Sequence, residues 1–129
     1  MPAFLTTDEI LAIHADQIAR YGGAGELRDV ALLESALAMP QASFDRELLH
    51  PTLEEMAAAY LFHLVKNHPF VDGNKRTGLM AAIAFLGLNG RRLMAEPKAL
   101  GDLVLGVAEG QRSKADVAVF LRENTKATP

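Results

Sequence analysis

The chain has 129 residues, the usual size of one domain, and we expect residues 1–129 to form a single domain. Half of the residues are hydrophobic and 22% are charged, which excludes a disordered chain, and the absence of cysteine excludes disulfides, thiolate metal sites and a cysteine nucleophile. The net charge of −3 is uneven: residues 1–65 are strongly acidic, whereas residues 66–92 carry five basic side chains and one acidic one. This distribution argues against direct nucleic-acid binding and for a local anion site.

The N-terminal segment has no basic region followed by an apolar run, so it does not resemble a signal peptide. No apolar run in the chain reaches the roughly 18 residues that a membrane span requires. We therefore expect a cytoplasmic protein without membrane contacts. The first helix signal is the capping-box spacing of Thr6 and Glu9, and the glycines of "YGG" at 21–23 predict where that helix ends.

The following segments also carry mostly helical signals. A second helix is predicted from about Asp29 to Met39, where Pro40 ends it. Residues 41–50, "QASFDRELLH", have no helical stripe, and we interpret them as a loop or a short hairpin. Thr52 begins a third helix, which we expect to continue to about Lys66.

The last third of the chain begins with a short segment that is not helical. The segment "RRLMA" at 91–95 can form a short strand, and the alternative interpretation is that Arg91 and Arg92 belong to a solvated turn. A helix-like segment lies between Glu96 and Gly110, and the final helix begins at Ser113, three residues before an acidic partner.

Two predicted helices differ from the others because residues 56–65 and 79–88 are apolar on nearly every face. A helix that is hydrophobic all round is buried. The sequence therefore predicts an all-α fold of about six helices, in which these two helices form the centre and a short hairpin lies outside them.

The segment that joins the two central helices is polar and cationic, "KNHPFVDGNKRTG" at 66–78. Gly73 can adopt the positive φ of a turn, so we expect the next helix to begin near Lys75 or Arg76. The N–H groups at such a helix start form an anion site, and two cations there oppose the helix dipole. This conflict between local rules predicts a functional site for a polyphosphate.

Two further side chains suggest chemistry on that phosphate. Asp72 can bind Mg²⁺, which takes one or two carboxylates together with phosphate oxygens. His68 can accept a proton at neutral pH from an attacking hydroxyl, and Phe70 is expected to anchor the loop in the core. Taken singly, each residue has a structural explanation, such as a plain turn or a solvated corner, whereas their coincidence between two buried helices favours function. We assign His14 and His50 to packing or to solvent, and we interpret His63 as a core or helix-face residue.

The segment His68–Arg76, "HPFVDGNKR", resembles the signature of the Fic/Doc family, and it is most similar to the Doc branch of death-on-curing toxins from toxin–antitoxin pairs. "ARYGG" at 19–23 and "NG" at 89–90 extend the resemblance to nearly the whole chain. The resemblance implies a helical fold with a mobile flap near residues 41–50 that lines up a target segment. It also implies that His68 is the base and that Asp72 is the magnesium ligand.

The same resemblance implies that Asn74, Lys75 and Arg76 bind phosphate and that Gly73 permits close approach of the nucleotide. Members of the larger Fic branch mostly transfer AMP from ATP to a protein hydroxyl. This chain departs from their motif at Lys75, where they have glycine, and at Leu79, where they have a second arginine. Both departures are similar to Doc, which implies transfer of the γ-phosphate of ATP to a threonine of elongation factor Tu and an arrest of translation.

The expected cofactors are therefore ATP and Mg²⁺, and the expected substrate is elongation factor Tu or another translation protein. Two alternatives stay open, an adenylyltransferase that tolerates Lys75 and a non-catalytic nucleotide- or protein-binding module on the same fold. The inhibitory Ser/Thr-x-x-x-Glu-Gly/Asn segment of some Fic proteins has no counterpart here, because Leu105 and Val119 stand at the two possible Ser/Thr positions. Inhibition is expected to come from a separate antitoxin.

Overall fold

Six α-helices make up most of the fold, and two small antiparallel strand pairs complete it. A computed structural model describes residues 1–129. The helices are α1 (Thr7–Tyr21), α2 (Val30–Ala38), α3 (Leu53–Asn67), α4 (Asn74–Leu88), α5 (Pro97–Ala108) and α6 (Lys114–Asn124). The strands are β1 (Ser43–Phe44), β2 (Glu47–Leu48), β3 (Arg91–Leu93) and β4 (Thr125–Ala127), and a 3₁₀ turn occupies Met39–Gln41. The prediction of an all-α fold of about six helices is confirmed.

The helix starts follow from side-chain caps close in sequence. Thr6 forms a complete capping box with Glu9, in which each side chain bonds the backbone N–H of the other residue. Ser113 forms the same arrangement at the start of α6. At α3, Thr52 accepts a hydrogen bond from the N–H of Glu55, and no reciprocal bond returns from the Glu55 side chain. Each cap satisfies an N–H group that the helix itself leaves without a partner.

The centre of the fold is α3, which packs against α2, α4, α5 and α6. Its side chains are buried on nearly all sides, as the apolar sequence predicts. The second central helix, α4, is less enclosed, since Met80 and Ile83 are partly exposed and Leu88 is exposed. Helix α4 packs mainly against α3 and α1, with smaller contacts to β3 and α5. None of the six helices is both long enough and apolar enough to span a bilayer.

The segment at 41–50, called the flap below, contains a short hairpin. Ser43 pairs with Leu48 and Phe44 pairs with Glu47. The two residues between the strands, Asp45 and Arg46, both have positive φ, at 51° and 68°. A two-residue hairpin turn of this kind needs positive φ at both positions and favours Asn-Gly or Asp-Gly. Arginine at the second position gives no such signal, which explains why the sequence leaves loop and hairpin open.

The strand predicted at residues 91–95 is present as β3, and its partner is β4 near the C-terminus. The interpretation of Arg91 as part of a solvated turn is wrong, because its guanidinium forms an ion pair with the buried Glu54 of α3. Burial by itself would raise the pKa of Glu54. Hydrogen bonds from its own backbone N–H and from Arg91 outweigh burial and lower that pKa from its ordinary value.

The Arg91–Glu54 pair predicts a specific loss of stability. Arg91→Ala leaves a buried carboxylate without its partner, and we expect the free energy of unfolding at neutral pH to fall by about 3 kcal/mol, the low end for such pairs because Arg91 is partly exposed. Urea denaturation measures this change, with the exposed Arg92→Ala as the matched control. The pKa of Glu54 in the folded protein is lowered from its ordinary value. The difference in unfolding free energy between wild type and variant should therefore narrow as the pH falls through that pKa and the carboxylate is protonated. An equal effect of the two substitutions would contradict this role for Arg91.

Candidate active site

The loop between the central helices, called the motif loop below, comprises residues 68–73. Helix α3 ends at Asn67, one residue beyond its predicted end near Lys66, and His68 has left-handed backbone angles (φ 52°, ψ 54°). The residue before a proline is expected to be extended. A left-handed conformation is unfavourable for a residue with a Cβ, so other contacts must hold His68 in place.

Arg28 provides those contacts from the segment between α1 and α2. Its Nε donates to the carbonyl oxygen of His68 at 2.7 Å, and its Nη2 donates to that of Asn67 at 3.0 Å. The backbone N–H groups of Arg28 and Asp29 both donate to the carbonyl of Pro69. The guanidinium thus satisfies carbonyls at the C-terminal end of α3, where a cation is also favourable. Sequence reasoning missed Arg28, because no local pattern relates it to a loop 40 residues away.

Below the surface, Phe70 and Asn74 close the motif loop on itself. Phe70 is 1% exposed and belongs to the main core. The side-chain amide of Asn74 accepts from the N–H of Phe70 at 3.0 Å and donates to its carbonyl at 2.8 Å. Asn74 is buried and both ends of its amide are occupied. Any contribution of Asn74 to anion binding therefore comes from its backbone N–H.

His14 of α1 supports the motif loop from the other side. Its ring lies parallel to that of Phe70, with centroids 3.7 Å apart, and its Nε2 donates to the carbonyl of Asp72 at 2.8 Å. His14 is thus buried and makes both a stacking contact and a hydrogen bond, so its role goes beyond the packing that the sequence predicts. The sequence does not show that His14 reaches Asp72, because the two residues are 58 positions apart.

The turn at Asp72 and Gly73 sits tightly against the segment that follows α1. The N–H of Ala24 donates to Oδ2 of Asp72 at 2.7 Å, while Oδ1 accepts no hydrogen bond. Gly73 has φ 83°, as predicted. A Cβ at position 73 would also lie 3.2 Å from Cδ1 of Ile18, so a larger residue would have to displace that side chain in addition to straining the turn.

Helix α4 begins immediately after Gly73, with Asn74 as its first residue, and no side chain caps it. The N–H groups of Asn74, Lys75 and Arg76 therefore point out of the helix start without an intrahelical partner. A 15-residue helix places about half a positive charge at this end, and the exposed Lys75 adds a full one. This end of α4 favours an anion with several oxygens.

Two cavities flank this helix start. The His68 cavity, of about 270 Å³, contains His68 together with Asp72, Gly73, Asn74 and Lys75. The Arg76 cavity, of about 380 Å³, shares Asp72, Gly73 and Lys75 with it. The predicted site residues are therefore close together, but His68 and Arg76 lie in different cavities on the two sides of one turn.

Arg76 is held on the side of α1. Its Nη2 donates to the carbonyl of Gly22 at 3.0 Å, and its guanidinium carbon lies 5.3 Å from the centre of the Tyr21 ring. Its Nε is buried and has no protein partner. A buried N–H without a partner is rare in folded proteins, and a phosphate oxygen is the type of acceptor that would satisfy it.

The carboxylate of Asp72 is the only one that lines either cavity, and the chain has no cluster of three metal-binding side chains. This donor set does not fit a resident metal held by protein ligands alone. It does fit Mg²⁺ that arrives with a nucleotide, because such a metal takes one or two carboxylates and completes its shell with phosphate oxygens and water. The free Oδ1 of Asp72 is available for that contact.

Comparisons with known proteins identify the family. A family model described as the Fic/DOC family matches residues 4–86, which include the motif loop and the start of α4. A relative from Escherichia phage P1, named "Protein kinase doc", is 36% identical over 118 residues that cover 92% of each chain. A relative from Mycolicibacterium smegmatis, named "Toxin Doc", is 43% identical over 96 residues that cover 74% of this chain and 72% of the relative. This chain therefore belongs to the Fic/Doc family and is similar to its Doc toxins.

Proposed function

We propose that this chain is a Doc-type toxin with protein kinase activity, which transfers the γ-phosphate of ATP to a threonine or serine hydroxyl of a translation factor in the cytoplasm. The observation that carries the proposal is the His68 cavity, where an exposed imidazole, a carboxylate and the uncapped start of α4 face one space. The phage P1 relative that bears the name of a protein kinase supports the reaction type. The resemblance of the motif to Doc supports elongation factor Tu as the substrate.

In this reaction the helix start and Lys75 hold the phosphates, and His68 takes the proton of the attacking hydroxyl. The new bond joins the hydroxyl oxygen to the γ-phosphorus, the bond from that phosphorus to the β–γ bridging oxygen breaks, and ADP leaves. Mg²⁺ at Asp72, when bound, neutralises charge on the phosphate oxygens. Positioning and charge neutralisation supply most of the catalysis of phosphoryl transfer, so fixed cationic groups matter more than covalent chemistry.

The residues at positions 75 and 79 favour the kinase reaction over AMP transfer. Lys75 lines both cavities and adds a positive charge where the adenylylating branch has glycine. Leu79, at the position of that branch's second arginine, is partly buried against the core and offers no cation to a phosphate. AMP transfer remains the second candidate, because the Arg76 cavity gives the phosphate chain room on the other side of the same turn.

A toxin of this type needs a separate inhibitor, since the chain lacks the inhibitory segment of some Fic proteins. We propose a cognate antitoxin that docks on an apolar surface as an amphipathic helix, which is a common mode of peptide recognition. The Mycolicibacterium smegmatis relative named "Toxin Doc" supports this partner.

The reaction itself is tested with ATP labelled on either the α- or the γ-phosphate, incubated with purified elongation factor Tu. We expect the γ-label to reach the factor and the α-label to stay in solution. His68→Ala should reduce single-turnover transfer about 10²- to 10⁴-fold, the usual contribution of a positioned base, while nucleotide binding and folding persist. Lys75→Gly should also reduce transfer strongly, whereas Arg92→Ala should not.

Three outcomes would count against parts of this proposal. Transfer of the α-label with release of pyrophosphate would replace the kinase by the adenylyltransferase. A loss below tenfold in His68→Ala would remove the imidazole from the role of base. Nucleotide binding without transfer to any protein in a bacterial lysate would favour the non-catalytic binding module.

Arg28 is predicted to act on the reaction through the position of His68. Arg28→Met keeps the apolar stem and removes both hydrogen bonds to the end of α3, so His68 can relax from its left-handed conformation. Because small misplacements of catalytic groups can cost about 10²-fold, we expect kcat to fall on the order of 10²-fold with little change in the KM for ATP. Arg20→Met, which removes only an exposed pair with Asp16, is the control. A change in KM alone would mean that Arg28 serves nucleotide binding instead.

The toxin–antitoxin relationship predicts a growth phenotype. Expression of this chain alone in a bacterium that contains the target should arrest growth, and co-expression of the neighbouring gene should restore it. His68→Ala, expressed to the same level, is the control and should permit growth. Normal growth with abundant folded wild-type protein would argue against the toxin function.

A further inference from the structure

A third cavity, of about 420 Å³, shares no lining residue with the two cavities beside the motif loop. It lies between the end of the flap, the first turn of α3 and one side of α6, and is called the flap–α6 cavity below. Nothing in the proposed transfer reaction uses it. The side chains that define its character are Leu49, His50, Glu55, Lys114, Val119 and Arg122.

Basic groups dominate this cavity and its wall. The Nζ of Lys114 lies 3.1 Å from Nε2 of His63, which is half-buried behind it. An ammonium group can only donate, so Nε2 of His63 accepts and that ring is neutral. Burial, followed by the charges of Lys114 and His50, lowers the pKa of His63 to about 4. Burial also lowers the pKa of Lys114, and burial and the Lys114 charge lower that of His50.

No carboxylate forms a salt bridge with these basic groups, although the charge of Glu55 partly opposes the lowering of the pKa of His50. Neither Lys114 nor Arg122 takes part in any of the three salt bridges of the fold. Glu55 is the one acidic side chain that lines the cavity, and it forms no salt bridge either. A partly buried cation whose only partner is a neutral ring keeps a large part of its desolvation cost. An external anion would reduce that cost.

The rim of the cavity is apolar. Leu49 is 52% exposed and Val119 is 45% exposed, and both line the cavity. On the adjoining hairpin, Phe44 is 77% exposed and Leu48 is 44% exposed. Large exposed apolar side chains next to unpaired cations are complementary to a polypeptide segment that carries both an apolar and an acidic side chain. A free inorganic anion would leave the apolar rim uncovered.

We propose that the flap–α6 cavity is a docking site for a partner protein, which it recognises by a segment with a carboxylate next to an apolar side chain. Lys114 and Arg122 pair with the carboxylate, and Leu49 and Val119 cover the apolar side chain. The site is independent of the phosphate chemistry. The partner is the protein that carries the reacting hydroxyl, so this role rests on the proposed function, whereas the cavity shares no residue with the phosphate site.

The test uses two capped dipeptides, acetyl-Leu-Glu-amide and acetyl-Leu-Gln-amide, titrated into the full chain and followed by NMR of the histidine side chains. We expect the glutamate peptide to give saturable shifts at His50 and His63, with a Kd on the order of 1 mM, and to raise the pKa of both rings. The glutamine peptide should bind at least tenfold more weakly. Lys114→Gln and Arg122→Gln should each weaken the glutamate peptide severalfold, whereas Lys98→Gln on α5 should have no effect.

Equal affinities for the two peptides would overturn the proposal, as would the absence of saturable shifts up to about 10 mM. Unchanged binding in both Lys114→Gln and Arg122→Gln would place the peptide elsewhere and would also overturn it. Because the readout is binding, these outcomes are independent of whether the chain transfers phosphate.

Discussion

The Asp72–Gly73 turn is the point on which the proposed active site depends, because the His68 cavity, the Arg76 cavity and the start of α4 all meet there. The turn is held from α1 by the hydrogen bond between His14 and the carbonyl of Asp72. The N–H of Ala24 holds the Asp72 side chain itself. A carboxylate oriented in this way can meet a metal without first losing side-chain freedom, which is the advantage of preorganised groups in catalysis.

The motif loop also shows how unfavourable local features persist in a stable fold. Lys75 and Arg76 stand in the first turn of α4, where the dipole disfavours cations. His68 adopts a backbone conformation that costs about 1–2 kcal/mol for a residue with a Cβ. Arg28 and the core residue Phe70 supply the compensating contacts. Such conflicts concentrate at functional sites, where the surrounding structure determines the conformation.

Features that depend on residues close together in sequence could be predicted, whereas features that depend on distant residues could not. The helices could be predicted, because their caps and apolar periodicity involve residues three or four positions apart, as Thr6 and Glu9 illustrate. The motif residues His68, Asp72 and Lys75 could be singled out because a short polar run between two apolar helices is itself unusual. Arg28 could not, since its partners lie about 40 residues away. The same reason explains why the ion pair of Arg91 could not be predicted, because its carboxylate partner lies 37 positions earlier.

The long separation between the supports of the motif loop has a kinetic consequence. His14 and Asp72 are 58 positions apart, and the Ala24 contact spans 48. Contacts of such high sequence separation form late, because the chain entropy of closing a long loop must be overcome before any of them contributes. A folding intermediate that contains α3 and α4 but has not docked α1 would hold the motif residues without their geometry. The proposed transfer activity would then arise only with the last steps of folding, when α1 docks on the motif loop.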